Sequence, residues 1–193
     1  MTLTSRLLPG FAVPLVLAVA ALSSLERDAH ALGPVDVELG ARVGVATKPL
    51  SDGPNPFGLG LGGRGGVTIF HVYGGLSAMH YFGSSDDIAT PLGRFKTSFS
   101  STLLGVEAGY SITAVPMLVI RPQVGIGGAS FSFGDQSASH LYLEPGVTGF
   151  VVVGLVYIGA DANLLVVPGV DKGIGDTTTY ASFTIHGQVG IRF

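Results

Sequence analysis

The residues leading to the last position of this 193-residue chain alternate between apolar and polar. Phe183, Ile185, Val189, Ile191 and Phe193 fall on one face, with Gly187 between them, and Thr184, His186, Gln188, Gly190 and Arg192 fall on the other. Side chains alternate sides along a β-strand, so this segment has one dry face and one polar face. A soluble domain gains little from a large dry-face aromatic at the final carboxylate. A strand immersed in lipid, by contrast, uses an aromatic where it meets the interface.

The same period recurs upstream and predicts seven more strands. The first places Val35, Val37, Leu39, Ala41, Val43 and Val45 opposite Asp36, Glu38, Gly40, Arg42 and Gly44. The second, over 57–70, sets Leu59, Leu61, Val67 and Ile69 against Arg64 and Thr68. The third, over 72–82, sets Leu76 and Ala78 against Tyr73, Ser77, Met79 and Tyr81. The fourth, over 99–112, opposes Leu104, Val106, Ala108, Tyr110 and Ile112 to Glu107 and Ser111. The fifth, over 118–131, opposes Ile120, Val124 and Ile126 to Arg121 and Gln123. The sixth, over 141–152, opposes Leu143, Val147 and Val151 to Tyr142, Glu144 and Thr148. The seventh, over 156–166, opposes Ile158, Ala160, Ala162 and Leu164 to Asp161 and Asn163.

Composition explains why so many dry faces need a partner. The chain is 47% hydrophobic and 12% charged, with 30 Gly and a mean hydropathy of +0.53. Its charged fraction is about half that of an average domain. Such a chain either carries apolar helices or spreads its apolar residues over one face of many strands. The best helical candidate, 146–170, contains Gly146, Gly149, Gly154, Gly159, Asp161, Asn163 and Pro168. Glycine costs about 1 kcal/mol per helical site, and an Asp at mid-bilayer costs about 3 kcal/mol. Two strands fit the stretch better. The net charge of −3 and the lack of a basic cluster exclude a nucleic-acid surface.

The N-terminus reads as a secretory leader. Arg6 supplies a positive start, Phe11 to Leu22 form a short apolar run, and Ala29-His30-Ala31 resembles a cleavage site. The run is too short for a spanning helix. The expected division is a removed leader over 1–31 and a β-domain over 32–193, an uncleaved anchor being the alternative. With no Cys, neither a lipid-modified cysteine nor a disulfide is available.

The links between the predicted strands alternate in length. Long polar links are expected at 47–56, 83–98, 134–140 and 168–178, and short ones near 70–72, 113–117 and 153–155. Eight strands with long connections at one end and short ones at the other describe an all-β, antiparallel, up-and-down transmembrane barrel. Closure also satisfies every backbone group in lipid. The turn near His71 lacks Gly, Asn or Asp, and Pro122 and Pro145 should sit near strand ends or bulges.

On this pattern the chain resembles the small eight-stranded outer-membrane barrels typified by the transmembrane domain of outer membrane protein A and its porin-like relatives. Members of that group often end in a polar-x-Gly-x-x-apolar-x-aromatic assembly signal. His186, Ile191 and Phe193 match it, while Gln188 stands where glycine is expected. The resemblance implies a Gram-negative outer membrane as the address. It implies lipid, lipopolysaccharide, periplasmic chaperones and the barrel-assembly machinery as partners.

Inward charges are the candidate site. Glu38, Glu107, Glu144 and Asp161 can face Arg42, Arg64, Arg121 and Arg192 across a lumen that eight strands leave just wide enough for side chains. Pairing offsets the desolvation cost of each charge, so a structural network is expected, with an ion path as the alternative. Gly60-x-Gly62-x-x-Gly65 matches a dinucleotide fingerprint by letter, but Val67-Thr68-Ile69 continues a strand where a helix should open. His71, His80, His140 and His186 lack metal spacing, so neither a metal nor another cofactor is expected. Ser98, Ser100 and Ser101 with His80 or His140 could at most suggest a lipid A-modifying enzyme. Asp52, Asp86, Asp87, Asp135, Asp171 and Asp176, beside Lys48, Arg94, Lys96 and Lys172, place mixed charge in the loops. That mixture suits lipopolysaccharide phosphates and bridging divalent ions. The expected function is a non-enzymatic structural or surface-presenting barrel. The alternatives are a minor channel, a lipid A-modifying enzyme, or a soluble periplasmic β-barrel.

Overall fold

The computed structural model describes residues 35–49, 55–83, 85–90, 93–115, 117–133, 136–171 and 177–193. The expected leader over 1–31 and the start of the mature chain at Leu32 lie outside these residues, as do Asp52, Asp135, Lys172 and Asp176. Ten strands follow one another: β1 (Val35–Ala46), β2 (Leu59–Ile69), β3 (Val72–Tyr81), β4 (Ser85–Thr90), β5 (Gly93–Tyr110), β6 (Ile112–Val115), β7 (Leu118–Phe133), β8 (Gln136–Val153), β9 (Val156–Asp171) and β10 (Thr177–Arg192). Setting aside the short β4 and β6, eight strands run up and down and close into an antiparallel barrel. No helix among the described residues is long and apolar enough to cross a membrane.

Two seams close the ring. β5 pairs with β7 from Phe99↔Phe133 to Gly109↔Gln123. β1 pairs with β10 from Glu38↔Arg192 to Ala46↔Thr184, and Val37 and Phe193 exchange backbone hydrogen bonds just beyond that ladder (2.7 and 3.1 Å). Alternation then sorts the side chains. Leu39, Leu61, Leu76, Leu104, Ile126, Val147, Ile158 and Ile185 point out and remain exposed. Tyr73, Tyr81, Arg121, Thr148, Asp161 and His186 point in and are buried.

The structure corrects two expectations and places one side chain that they left open. The long links expected at 83–98, 134–140 and 168–178 are largely strand. β4 forms a hairpin with Gly93–Ser98 of β5, β7 and β8 stay paired to Phe133↔Gln136, and β9 reaches Asp171. Ser130, Ser132, Ser137 and Ser139 give these extensions no dry face, so hydrophobic alternation vanished there while the backbone ladder did not. Pro122 and Pro145 lie inside β7 and β8 rather than at their ends. Each sits at a break in pairing. Pro122 falls just past the last β5–β7 pair, and the β8–β9 ladder has no pair between Leu143↔Val166 and Gly146↔Asn163. A missing N–H costs little where the neighbouring strand makes no hydrogen bond. Finally, the period that turns Leu59 and Leu61 outward would do the same for Phe57. Gly58, at φ +112°, breaks the regular pleat directly before β2, and the Phe57 ring lies buried inside the barrel.

Candidate functional site

The interior is filled in two storeys. The lower storey, towards the short turns, holds the charges. Arg121, on β7, is fully buried and donates to Glu38 through Nη1 (2.9 Å to Oε2) and Nη2 (2.6 Å to Oε1). Its Nε donates to the Ser111 hydroxyl at 2.9 Å, and Thr68 lies 3.3 Å from Nη2. The guanidinium also stacks 3.9 Å from the Tyr73 ring centre. A bidentate pair with both partners fixed is the strongest form such an interaction takes. Below it, Arg192 meets Asp36 at 2.6 Å and approaches Glu38 at 3.8 Å.

Above it the pairs are linked into a chain. Arg64 approaches Glu107 at 3.2 Å and donates to Thr148 and Gln123, both at 3.3 Å. Arg42 bridges Glu107 at 3.1 Å and Asp161 at 2.9 Å. Asp161 also accepts from Asn163 at 2.7 Å and contacts His186 Nδ1 at 2.6 Å, while Tyr81 meets His186 Nε2 at 2.6 Å. Glu144 stands apart: it accepts from the Thr184 hydroxyl at 3.0 Å and makes no ion pair among the described residues.

The upper storey is apolar. Ala46, Met79, Tyr81, Leu103, Phe131, Tyr142, Leu165, Val167 and Tyr180 form one buried cluster around Phe57. The Phe57 ring packs edge-on against Tyr81 and Phe131, with ring centres 5.6 and 5.9 Å away. The segment bearing it is held by Ser101 Oγ, which donates to the Pro56 carbonyl at 2.9 Å, and by Asn55 Oδ1, which accepts from Phe57 N at 3.1 Å. Phe57 thus fills the centre of the upper storey from the described end of the β1–β2 connection.

All eight charges expected inside lie on the inner face, Arg192 at its lower mouth. Sequence alternation placed the charges and Tyr73 and Tyr81 on one inner face, but not which Arg meets which carboxylate, nor that Tyr73 stacks on Arg121 and Tyr81 meets His186. Of the assembly residues, His186 turns into the charged network, whereas Ile191 and Phe193 sit partly buried at the β1–β10 seam. Gly60 and Gly62 face inward beneath Tyr81 and Met79, so packing accounts for them, while Gly65 faces outward beside Leu39. His80 contacts Thr102 at 2.8 Å on the exposed outer wall, and His140 packs near Phe131. The two histidines do not converge. Among the described residues no three His, Asp or Glu side chains gather as metal ligands.

No protein-family model matches the chain, and no curated protein matches its sequence. Solved structures do. Neisserial surface protein A superposes with a TM-score of 0.50 at 17% identity, covering 82% of this chain and 95% of that one. A major outer membrane protein from Thermus thermophilus gives 0.52 at 14% identity, covering 81% and 99%. This is the fold of the small eight-stranded outer-membrane barrels. Likeness at that level of identity speaks for the fold of the barrel and not for its task.

Proposed function

We propose that this protein is a non-enzymatic integral outer-membrane barrel with a closed lumen and a structural, surface-presenting role. The observation that carries the reading is the filled interior, charged below and packed around Phe57 above. The outer wall supports the address, since a belt of exposed Leu, Ile and Val around every long strand is costly in water and natural in lipid. The leader over 1–31 would carry the chain across the inner membrane, to be received by periplasmic chaperones and the barrel-assembly machinery. The mixed charge of the outer connections, Lys48, Asp86, Asp87, Arg94 and Lys96 among them, would meet lipopolysaccharide phosphates and their bridging cations.

Planar-bilayer recording on the purified barrel tests the closed lumen. The expected result is no steady conductance. Sustained single-channel currents would overturn it and favour the minor-channel reading. One observation favours that second reading: among the described residues neither Gln188 side-chain amide atom has a hydrogen-bond partner, although the residue is buried in the lumen. A shift in gel mobility between unboiled and boiled outer-membrane samples tests the address, and recovery of the protein in the periplasmic wash would sink it.

A further inference from the structure

The outer wall changes character along one line. Ala78, Leu104, Gly128 and Leu141 are cross-strand neighbours on β3, β5, β7 and β8, and all of them point outward. Further from the short turns, the next outward row in register is His80, Thr102, Ser130 and Ser139. Ser130 and Ser139 are in hydrogen-bond contact at 2.9 Å. Ser100, Ser132 and Ser137 form the row beyond. The lowest of these rows is apolar and ends the belt on this side, whereas the upper rows carry hydroxyls and a single imidazole. Among the described residues, no other His and no Asp, Glu, Lys or Arg lies on the outward face between the turns and the His80 row.

A polar group facing lipid is costly at mid-bilayer and costs little where headgroups begin, which suits an imidazole at this line. His80 is also fixed in place. Its Nδ1 lies 2.8 Å from Thr102 Oγ1, and its ring packs edge-on against Phe82 with ring centres 5.1 Å apart. That contact uses one ring nitrogen and leaves Nε2 without a partner among the described residues. On the opposite flank His80 pairs with the exposed Leu61 of β2. Hydrogen-bonding groups therefore lie to one side of the imidazole and apolar wall to the other. Residues 76–83, 98–104, 128–132 and 137–143 contain no Asp or Glu, so no carboxylate of the patch repels an anion. Imidazole N–H and hydroxyl donors match phosphate and sugar oxygens.

We propose that His80 and Thr102, with the serines in register beside them, form a docking site for the phosphorylated sugar headgroup of an outer-leaflet lipid. The inference rests on the outer-membrane reading and deepens it, giving the lipid contact a side of the barrel and a set of donors. Continuity with the apolar belt selects a lipid over a soluble glycan: its acyl chains run down past Leu61 and Leu104 while its headgroup meets the imidazole and the hydroxyls.

The full-length protein is folded into phosphatidylcholine vesicles alone, with diphosphoryl lipid A, with dephosphorylated lipid A, or with inorganic phosphate in the buffer. The midpoint temperature of its gel-mobility shift reads binding, because a ligand of the folded state raises it. Diphosphoryl lipid A should raise the wild-type midpoint by about 3 °C or more. Dephosphorylated lipid A should give less than half of that increment, and inorganic phosphate none. His80→Phe and Thr102→Val should each lose most of the increment, while their midpoints in phosphatidylcholine alone stay near that of the wild type. No increment, an equal one from both forms of lipid A, or one that survives both substitutions would overturn the site. An increment from inorganic phosphate alone would assign the donors to the free anion and overturn lipid docking. Wild-type protein without a mobility shift in any vesicle would overturn the membrane reading with it. Thr102→Val keeps the test decisive if His80→Phe does not fold.

Discussion

Arg121 and Glu144 are both buried inward-facing charges, yet their surroundings predict opposite sensitivities. Every nitrogen of the Arg121 guanidinium has an acceptor, and Tyr73 stacks on its face. Arg121→Leu would leave Glu38 buried with only Thr68 and the more distant Arg192 beside it. The expected cost is about 3–5 kcal/mol, read from urea unfolding in lipid vesicles. Glu144 accepts one hydroxyl hydrogen bond and makes no ion pair among the described residues. Glu144→Gln keeps that acceptor, so the same assay should move by less than about 1 kcal/mol. A larger loss would mean that Glu144 carries a charge interaction the geometry does not show. Glycines set a second constraint at this scale. A Cβ on Gly105 would overlap the Tyr142 phenol and the Ile126 carbonyl, and one on Gly40 would overlap Tyr157. Gly105→Val should therefore destabilise the barrel by about 1–3 kcal/mol. An unchanged unfolding midpoint would show that the ring moves aside freely.

The elements show how far period-two reading carries and where it stops. Central stretches of all eight long strands were legible, because each has a lipid-coloured face and a polar one. The extensions of β7 and β8 were not, since alternating serine resembles a loop until a neighbour completes its ladder. The β2–β3 turn is the other case. Phe70 and His71 both adopt positive φ (51° and 90°), the requirement of a two-residue hairpin turn that Asn-Gly meets without strain. Each non-glycine residue in that region costs of order 1 kcal/mol or more. Replacing Phe70-His71 by Asn-Gly should raise barrel stability by about 1 kcal/mol in thermal gel-shift assays. A fall would show that contacts such as the His71–Tyr110 ring pair, 5.8 Å apart, outweigh the strain. Phe57 belongs here too. A glycine with positive φ accompanies its burial in the upper lumen, whereas continuing the β2 alternation would place it on the opposite side.

At the scale of the molecule, closure joins the chain's distant parts through the lumen. Arg42 on β1 contacts Glu107, 65 residues away, and His186, 144 residues away, while the β1–β10 seam ties the two ends of the barrel domain. Unfolding should therefore be one transition. The six tyrosines, several of them in the lumen, and the mobility of the folded band should report the same urea midpoint. Separate midpoints would mean that the lumen loosens before the ring opens. The amino-acid sequence by itself determined the eight long strands, their antiparallel up-and-down order and the face that side chains in their central stretches take. All three follow from local alternation and from the need to cover apolar surface. Only the tertiary structure decided which Arg meets which carboxylate, that serine-rich segments continue the wall, and that Phe57 packs into the upper lumen. Those outcomes depend on residues tens of positions apart meeting across a closed ring, and on a single glycine with positive φ that no hydrophobic period records.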